Sequence, residues 1–242
     1  MTVLSEVSLG VSRVTVGSIS CRRWPYKIGL SYPWRLVPRH RLKNRGRIPG
    51  VTVPSPAVVA APRPVNAVVL DYGNVLYAWE PIAAVAGCVS IDAWDDFVAD
   101  GEFLTWNERL DLGEPFGRVL ADYARAHPDR PDWAEILSLY RDRFPASLTG
   151  PVPGMAAVLD DLLEEGVVLY GLTNFDSGPF ERARLLVPQL ERFAGIVVSG
   201  REHLAKPDAA VFELLLGRYR LQASHTLFVD DSAVNIQAAG RL

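Results

Sequence analysis

Four short polar sequences hold the side chains of this chain that could do chemistry together: Asp71, Thr173-Asn174, Lys206-Pro207 and Asp230-Asp231. Three of them directly end apolar runs, Ala67 to Leu70, Val167 to Leu172 and Thr226 to Val229, and Lys206 lies a little beyond Ile196-Val197-Val198. A carboxylate nucleophile, a hydroxyl donor, an ammonium and an acidic pair are the parts that metal-assisted phosphoryl transfer needs, because its catalysis is positioning and charge neutralisation around a loose transition state. Each signal alone has a plainer explanation. Lysine before proline is often a solvated loop residue, and Asp-Asp before Ser232 also suits the start of a helix, a role compatible with metal binding.

Such residues cooperate only if the fold brings the strand ends together. Ala67 to Leu70 is wholly apolar, as a strand buried on both faces of a parallel sheet is. The run Val167 to Leu172 follows a predicted helix over Gly154 to Glu165, where Met155, Val158, Leu159, Leu162 and Leu163 recur at intervals of three and four and Gly166 is placed as a cap. Ile196 to Val198 and Thr226 to Val229 are further strands, with a helix over Ala209 to Tyr219 between them and another over Ser232 to Gly240 at the end. Alternating strand and helix predicts an α/β fold with a doubly wound parallel sheet. Ligands of such sheets sit beyond the carboxyl ends of the strands, where the strand order switches.

Residues 82–148 differ. Trp94, Phe97 and Val98, then Phe116, Val119, Leu120 and Tyr123, then Trp133, Ile136, Leu137 and Tyr140 repeat at helical spacing. They predict an all-helical insertion after the first strand, with these aromatics as its own core. The α/β part is therefore expected at 65–81 and 149–242. Trp94, Phe103, Trp106, Asn107, Glu108 and Arg109 are candidates for the mouth of a site beneath the insertion.

With 242 residues, 49% hydrophobic, 22% charged and a net charge of -3, collagenous, coiled-coil and disulfide-scaffold classes drop out. The average hides an asymmetry. Residues 1–65 carry eleven Lys and Arg against Glu6, a balance of +10, and the remainder carries -13. Pro-rich residues 1–64 show no core-forming period and are expected to be a disordered appendage, with organelle targeting or a nucleic-acid arm as alternatives. No apolar run is long enough to span a membrane and no secretory signal is readable, so a cytoplasmic protein with reduced Cys21 and Cys88 is expected, without a nucleic-acid partner.

Asp71-Tyr72-Gly73-Asn74-Val75-Leu76, Leu172-Thr173-Asn174, Lys206-Pro207-Asp208 and Phe228-Val229-Asp230-Asp231-Ser232 resemble the four ordered motifs of the haloacid dehalogenase-like (HAD) hydrolase superfamily over residues 66–242. The helical insertion resembles that superfamily's cap, and the Asp-x-Gly-Asn form of motif one is similar to that of small sugar-phosphate phosphatases. The resemblance implies that Asp71 attacks phosphorus and becomes an aspartyl phosphate. It further implies that Thr173 and the backbone amide of Asn174 bind phosphoryl oxygens and that Lys206 neutralises nucleophile and phosphate. Asp71, the Gly73 carbonyl, Asp230 and Asp231 would hold Mg²⁺, and the partner would be a small phosphorylated metabolite. Gly73 departs from the pattern, since the common form has a second Asp there as general acid and base. Its loss typically costs about 10² to 10⁴ in rate. Another group then supplies the proton, or the leaving group needs little help. Glycine could also be required at 73 for its backbone angle. The superfamily's 2-haloacid dehalogenases place Tyr at this position and lack the paired acids. The chain also stops at Leu242, where the superfamily normally continues, which raises a non-catalytic binding or regulatory protein as the other alternative.

Overall fold

The structure, a computed structural model, describes residues 2–3 and 65–242. Seven strands are present among them: β1 (Thr2–Val3), β2 (Ala67–Leu70), β3 (Tyr77–Trp79), β4 (Leu148–Pro151), β5 (Val168–Thr173), β6 (Gly195–Val198) and β7 (Thr226–Val229). The main sheet is parallel with the order β1-β7-β2-β5-β6. Chain order reverses at β2, which lies between β5 and β7, so the crevice for a ligand opens beyond its carboxyl end. The appendage expected at 1–64 falls outside the described residues, apart from Thr2–Val3, which runs beside β7.

Strand β2 is buried along its whole length. Its side chains divide with the pleat: Val68 and Leu70 enter a core with Leu159, Leu169 and Phe180, whereas Ala67 and Val69 enter one with Leu172, Val211, Phe212 and Phe228. Helices α6 (Met155–Glu164) and α7 (Ser177–Ala183) supply Leu159 and Phe180 to the first core, and α9 (Ala209–Tyr219) and α10 (Ala233–Ala239) supply Val211, Phe212, Ala238 and Ala239 to the second. Gly166, at φ +78°, lies just past α6 as the expected cap. Asp176 and Asp208 cap α7 and α9 by accepting from the amides of Gly178 and Ala210, each at 3.0 Å.

Five helices form the insertion: α1 (Pro81–Val85), α2 (Ile91–Ala99), α3 (Phe103–Asp111), α4 (Phe116–Ala126) and α5 (Pro131–Asp142). Trp94, Phe97, Tyr123, Trp133, Ile136, Leu137 and Tyr140 pack into one cluster there, as the spacing predicts. An antiparallel pair, β3 with β4, joins the insertion to the sheet and was not expected. A four-residue helix, α8 (Ser199–Glu202), follows β6. No helix among the described residues is long and apolar enough to cross a membrane.

Candidate active site

The parallel register sets Leu70 opposite Gly171 on one side and Val229 on the other. The residues just beyond, Asp71 and Asp230, therefore emerge side by side, and the amide of Asp71 donates to the Val229 carbonyl at 2.9 Å. Both point toward Lys206. Its ammonium donates to Asp230 Oδ2 at 2.6 Å and the Leu172 carbonyl at 3.0 Å, and lies 2.9 Å from Asp71 Oδ1. Three acceptors match three N–H donors, with the Lys206 side chain only 1% exposed.

The loop that presents Lys206 is held by Asn174. Its side-chain amide donates to the Lys206 carbonyl at 2.8 Å, and its Oδ1 accepts from the Lys206 amide at 2.9 Å. The Asn174 side chain is thus occupied structurally, while Thr173 is buried at the end of β5. Asp230 Oδ1 accepts from the Ser232 amide and from Asn235 Nδ2, both at 2.9 Å, so Asp230 of the acidic pair does organise the start of α10. Asp231 is exposed and accepts from Asn74 Nδ2 at 3.1 Å.

One oxygen each from Asp71, Asp230 and Asp231 lies within 4.8 Å of the others. Three carboxylates facing a single ammonium leave an excess of negative charge, and an all-oxygen donor set is the kind a hard divalent cation takes. The residues therefore fit Mg²⁺. Burial pushes the Asp71 carboxyl up, while Lys206 and the Tyr72 amide pull it back. Burial works against the Lys206 charge, but Asp71 and Asp230 outweigh it and hold the ammonium above its ordinary value.

A cavity of about 210 Å³ opens over these groups, lined from the sheet side by Asp71, Gly73, Asn74, Asn174, Phe175 and Asp231. Trp79, Asn107, Asp111, Tyr140, Phe144 and Leu148 close it from the insertion and its β-pair. Of the mouth candidates, only Asn107 lines the cavity. Trp94 and Phe103 are core residues, Trp106 packs against that core, and Arg109 pairs with Glu114 and Asp122 at 2.6 and 2.7 Å. A Cβ added at Gly73 would meet no atom within 4 Å, and its φ lies outside the left-handed region, so no backbone constraint requires glycine there.

Asp111 is the site residue that sequence reasoning missed. Burial, reinforced by the charges of Asp176, Glu108 and Asp71 and opposed by a hydrogen bond from the Asp176 amide, pushes its carboxyl up to about 7. A readable signal existed, since Asn107 and Asp111 stand four apart on one helix face and Asn107 Nδ2 donates to Asp111 Oδ2 at 3.0 Å.

The profile of the haloacid dehalogenase-like hydrolases matches residues 65–242. A sesquiterpene phosphatase of Aspergillus oryzae, astK, is 26% identical over 181 residues, covering 72% of this chain and 84% of that protein. Acyl-CoA dehydrogenase family member 10 of Mus musculus is 28% identical over 227 residues, 91% of this chain but 18% of that protein, so the chain spans less than a fifth of it. The magnesium complex of the HAD family enzyme bt-2542 from Bacteroides thetaiotaomicron superposes with a TM-score of 0.56 at 18% identity, covering 74% of this chain and 90% of that one. Magnesium-bound YfnB from Bacillus subtilis gives 0.57 at 18% identity, with 74% and 85% covered. At such identity these two likenesses concern the fold. The matched segment carries four of the five strands of the main sheet, the helical insertion and every predicted site residue, and the chain belongs to the haloacid dehalogenase-like hydrolases.

Proposed function

We propose that this hydrolase is a Mg²⁺-dependent phosphatase that cleaves a small phosphate monoester through an aspartyl phosphate at Asp71. The observation that carries it is the convergence of Asp71, Asp230 and Asp231 with one buried lysine at the carboxyl edge of the sheet. Asp71, fixed through Oδ1 by Lys206 and the Tyr72 amide, forms a bond to phosphorus as the ester P–O bond breaks. Water then attacks phosphorus, releasing phosphate and restoring the carboxylate. The Thr173 hydroxyl and the Asn174 backbone amide hold phosphoryl oxygens. Because the donors of Lys206 are already engaged, it contributes charge and position to the phosphate site. Asp71, Asp231, the Gly73 carbonyl and, behind them, Asp230 would hold the metal; when bound, Mg²⁺ neutralises the converging phosphate and carboxylate charge.

The helical insertion acts as a cap that supplies the far wall. Trp79, Tyr140, Phe144 and Leu148 make much of that wall aromatic and apolar, and Phe175 faces them from the sheet side. It favours an ester with a small apolar organic group over the sugar phosphate that motif one alone suggests. The name of astK, a sesquiterpene phosphatase, agrees with an apolar alcohol. The test is phosphate release from alkyl, prenyl, aryl and sugar phosphates with Mg²⁺, with 2-chloropropionate as control. Turnover is expected to vanish in EDTA and return with Mg²⁺. Halide release from chloropropionate with no phosphate release would overturn the proposal.

A further inference from the structure

The phosphatase site has no carboxyl at position 73 to protonate the departing oxygen, and the inference drawn here rests on that proposed activity. The cavity nevertheless holds a carboxyl on its opposite wall. Asp111 is the last residue of α3, and it lines the same cavity of about 210 Å³ as Asp71 and Gly73. We propose that Asp111, contributed by the insertion, is the general acid and base that takes over from the carboxyl absent at Gly73.

Four contacts fix its position. Asn107 Nδ2 donates to Oδ2 at 3.0 Å, and the Asp176 amide donates to the same carboxyl. Ser199 Oγ donates to the Asp111 carbonyl at 2.5 Å, and His203 Nδ1 lies 2.8 Å from the Leu112 carbonyl. The carboxyl is thus held against the loop that follows β5, and the end of α3 is tied to the core on both sides of it.

Its surroundings keep a proton on it near neutrality. Glu108 on its own helix, Asp176 after β5 and Asp71 at the end of β2 all disfavour the charged form, with burial the largest cause. Two of those charges are themselves paired, Asp176 with Arg141 of α5 at 2.5 Å and Asp71 with Lys206 at 2.9 Å. An acid close to the working pH is the kind that both donates and recovers a proton efficiently. The competing hydroxyls are poor donors. Tyr140 shares the wall, but burial holds its phenol well above the ordinary value, and the Tyr72 hydroxyl donates to the Ala183 carbonyl at 2.7 Å.

The steps balance. As Asp71 forms its bond to phosphorus, the Asp111 carboxyl proton passes to the ester oxygen and the alcohol leaves. Asp111, now ionised, takes a proton from the water that attacks the aspartyl phosphate. Phosphate departs, leaving Asp71 ionised and Asp111 protonated for the next cycle.

The experiment compares wild type and Asp111→Asn with Mg²⁺ on p-nitrophenyl phosphate, whose leaving group needs no proton, and hexyl phosphate, whose leaving group does. In the variant the first turnover of the aryl ester is expected to stay within about tenfold of wild type, followed by slow release of phosphate. The first turnover of hexyl phosphate should fall by about 10² to 10⁴. Equal losses on both esters, or no loss on either, overturn the role of Asp111 and leave the phosphatase intact. If no phosphate ester is turned over by the wild type, the phosphatase fails and this proposal falls with it. A readout independent of the variant's folding comes from the wild type alone. First-turnover rates on hexyl phosphate should decline as pH rises through about 7, because the acid must be protonated, and those on the aryl ester should not. The same decline on both esters overturns the proposal. Asp111→Asn should also melt no lower than wild type at pH 8, since it removes a charge that the folded state disfavours.

Discussion

Replacing Lys206 by Met keeps most of the side chain's bulk and removes the ammonium that separates two buried carboxylates. In the native site that charge lies 2.9 Å from Asp71 and 2.6 Å from Asp230, whose side chain is fully buried. Removing one partner of a buried ion pair costs about 3–5 kcal/mol, because the other charge is left uncompensated. Here two carboxylates lose their partner and then face each other, which pushes the cost up. Asp230 retains its bonds from Ser232 and Asn235, and Asp71 retains the Tyr72 amide, which pulls it down. A loss of about 4 kcal/mol follows, or roughly 8–16 °C in melting temperature for a unit of this size. The assay is thermal unfolding by circular dichroism at pH 8 in EDTA. The sign of the pH dependence follows from Lys206 pulling the Asp71 carboxyl down against burial, so the variant's carboxyl lies further above its ordinary value than the wild type's. An acid whose folded-state pKa lies above its unfolded value binds protons on folding, so stability is gained as pH falls through the folded value. The deficit of Lys206→Met should therefore shrink on acidification toward pH 5, and Mg²⁺ should restore part of it at pH 8. A loss below about 1 kcal/mol, or a deficit that grows on acidification, would refute the assignment of Lys206 as the charge that holds these carboxylates.

Asp71→Asn should lower turnover on the order of 10⁶-fold, as loss of a covalent nucleophile does, and leave no phosphoenzyme on a denaturing gel. The fold should persist, and a folded variant retaining a few per cent of wild-type rate would sink the covalent route. Gly73→Asp should melt within about 2 °C of wild type, given the open space at the added Cβ. Introduced into Asp111→Asn, it should restore hexyl phosphate turnover by placing a carboxyl on the sheet side of the cavity. Unchanged rates in that double variant would mean that position 73 does not face the leaving group.

The sheet was legible because parallel strands buried on both faces read as unbroken apolar runs. Ala67–Leu70 and Thr226–Val229 are strands with the predicted bounds, and the helix over Ala209–Tyr219 is likewise unchanged. The polar residues predicted beyond the strands meet at one edge because parallel register stacks strand ends. The pair β3 and β4 escaped notice for a physical reason. Each has three or four residues, is only partly buried, and carries a register shift between Ala78 and Trp79, so no period of two survives to be read. Asp111 escaped for a different one. The i,i+4 spacing from Asn107 marks it only as a helix-face pair, and what sets it apart, Ser199 and the Asp176 amide closing around it in space, is written in distant parts of the chain. The same holds for the mouth. Helical spacing puts Trp94 and Asn107 in the insertion but cannot say that the first faces its core and the second the cavity.

The reciprocal bonds between the Asn174 side chain and the Lys206 peptide bear on how such a chain can change over evolutionary time. Only a side chain that offers one donor and one acceptor at that reach can serve both the carbonyl and the amide of residue 206. Aspartate would leave the carbonyl unanswered, serine and threonine are too short to bridge both, and alanine would orphan two backbone groups beside a buried lysine. Asparagine at 174 is thus selected by the peptide it holds as much as by the ester it borders. The dependence runs one way across the 32 residues that separate the two positions. Any residue but proline at 206 offers the same carbonyl and amide, whereas a change at 174 alone would displace the ammonium, so asparagine should stay constant at 174 wherever lysine is kept at 206 among descendants of this chain.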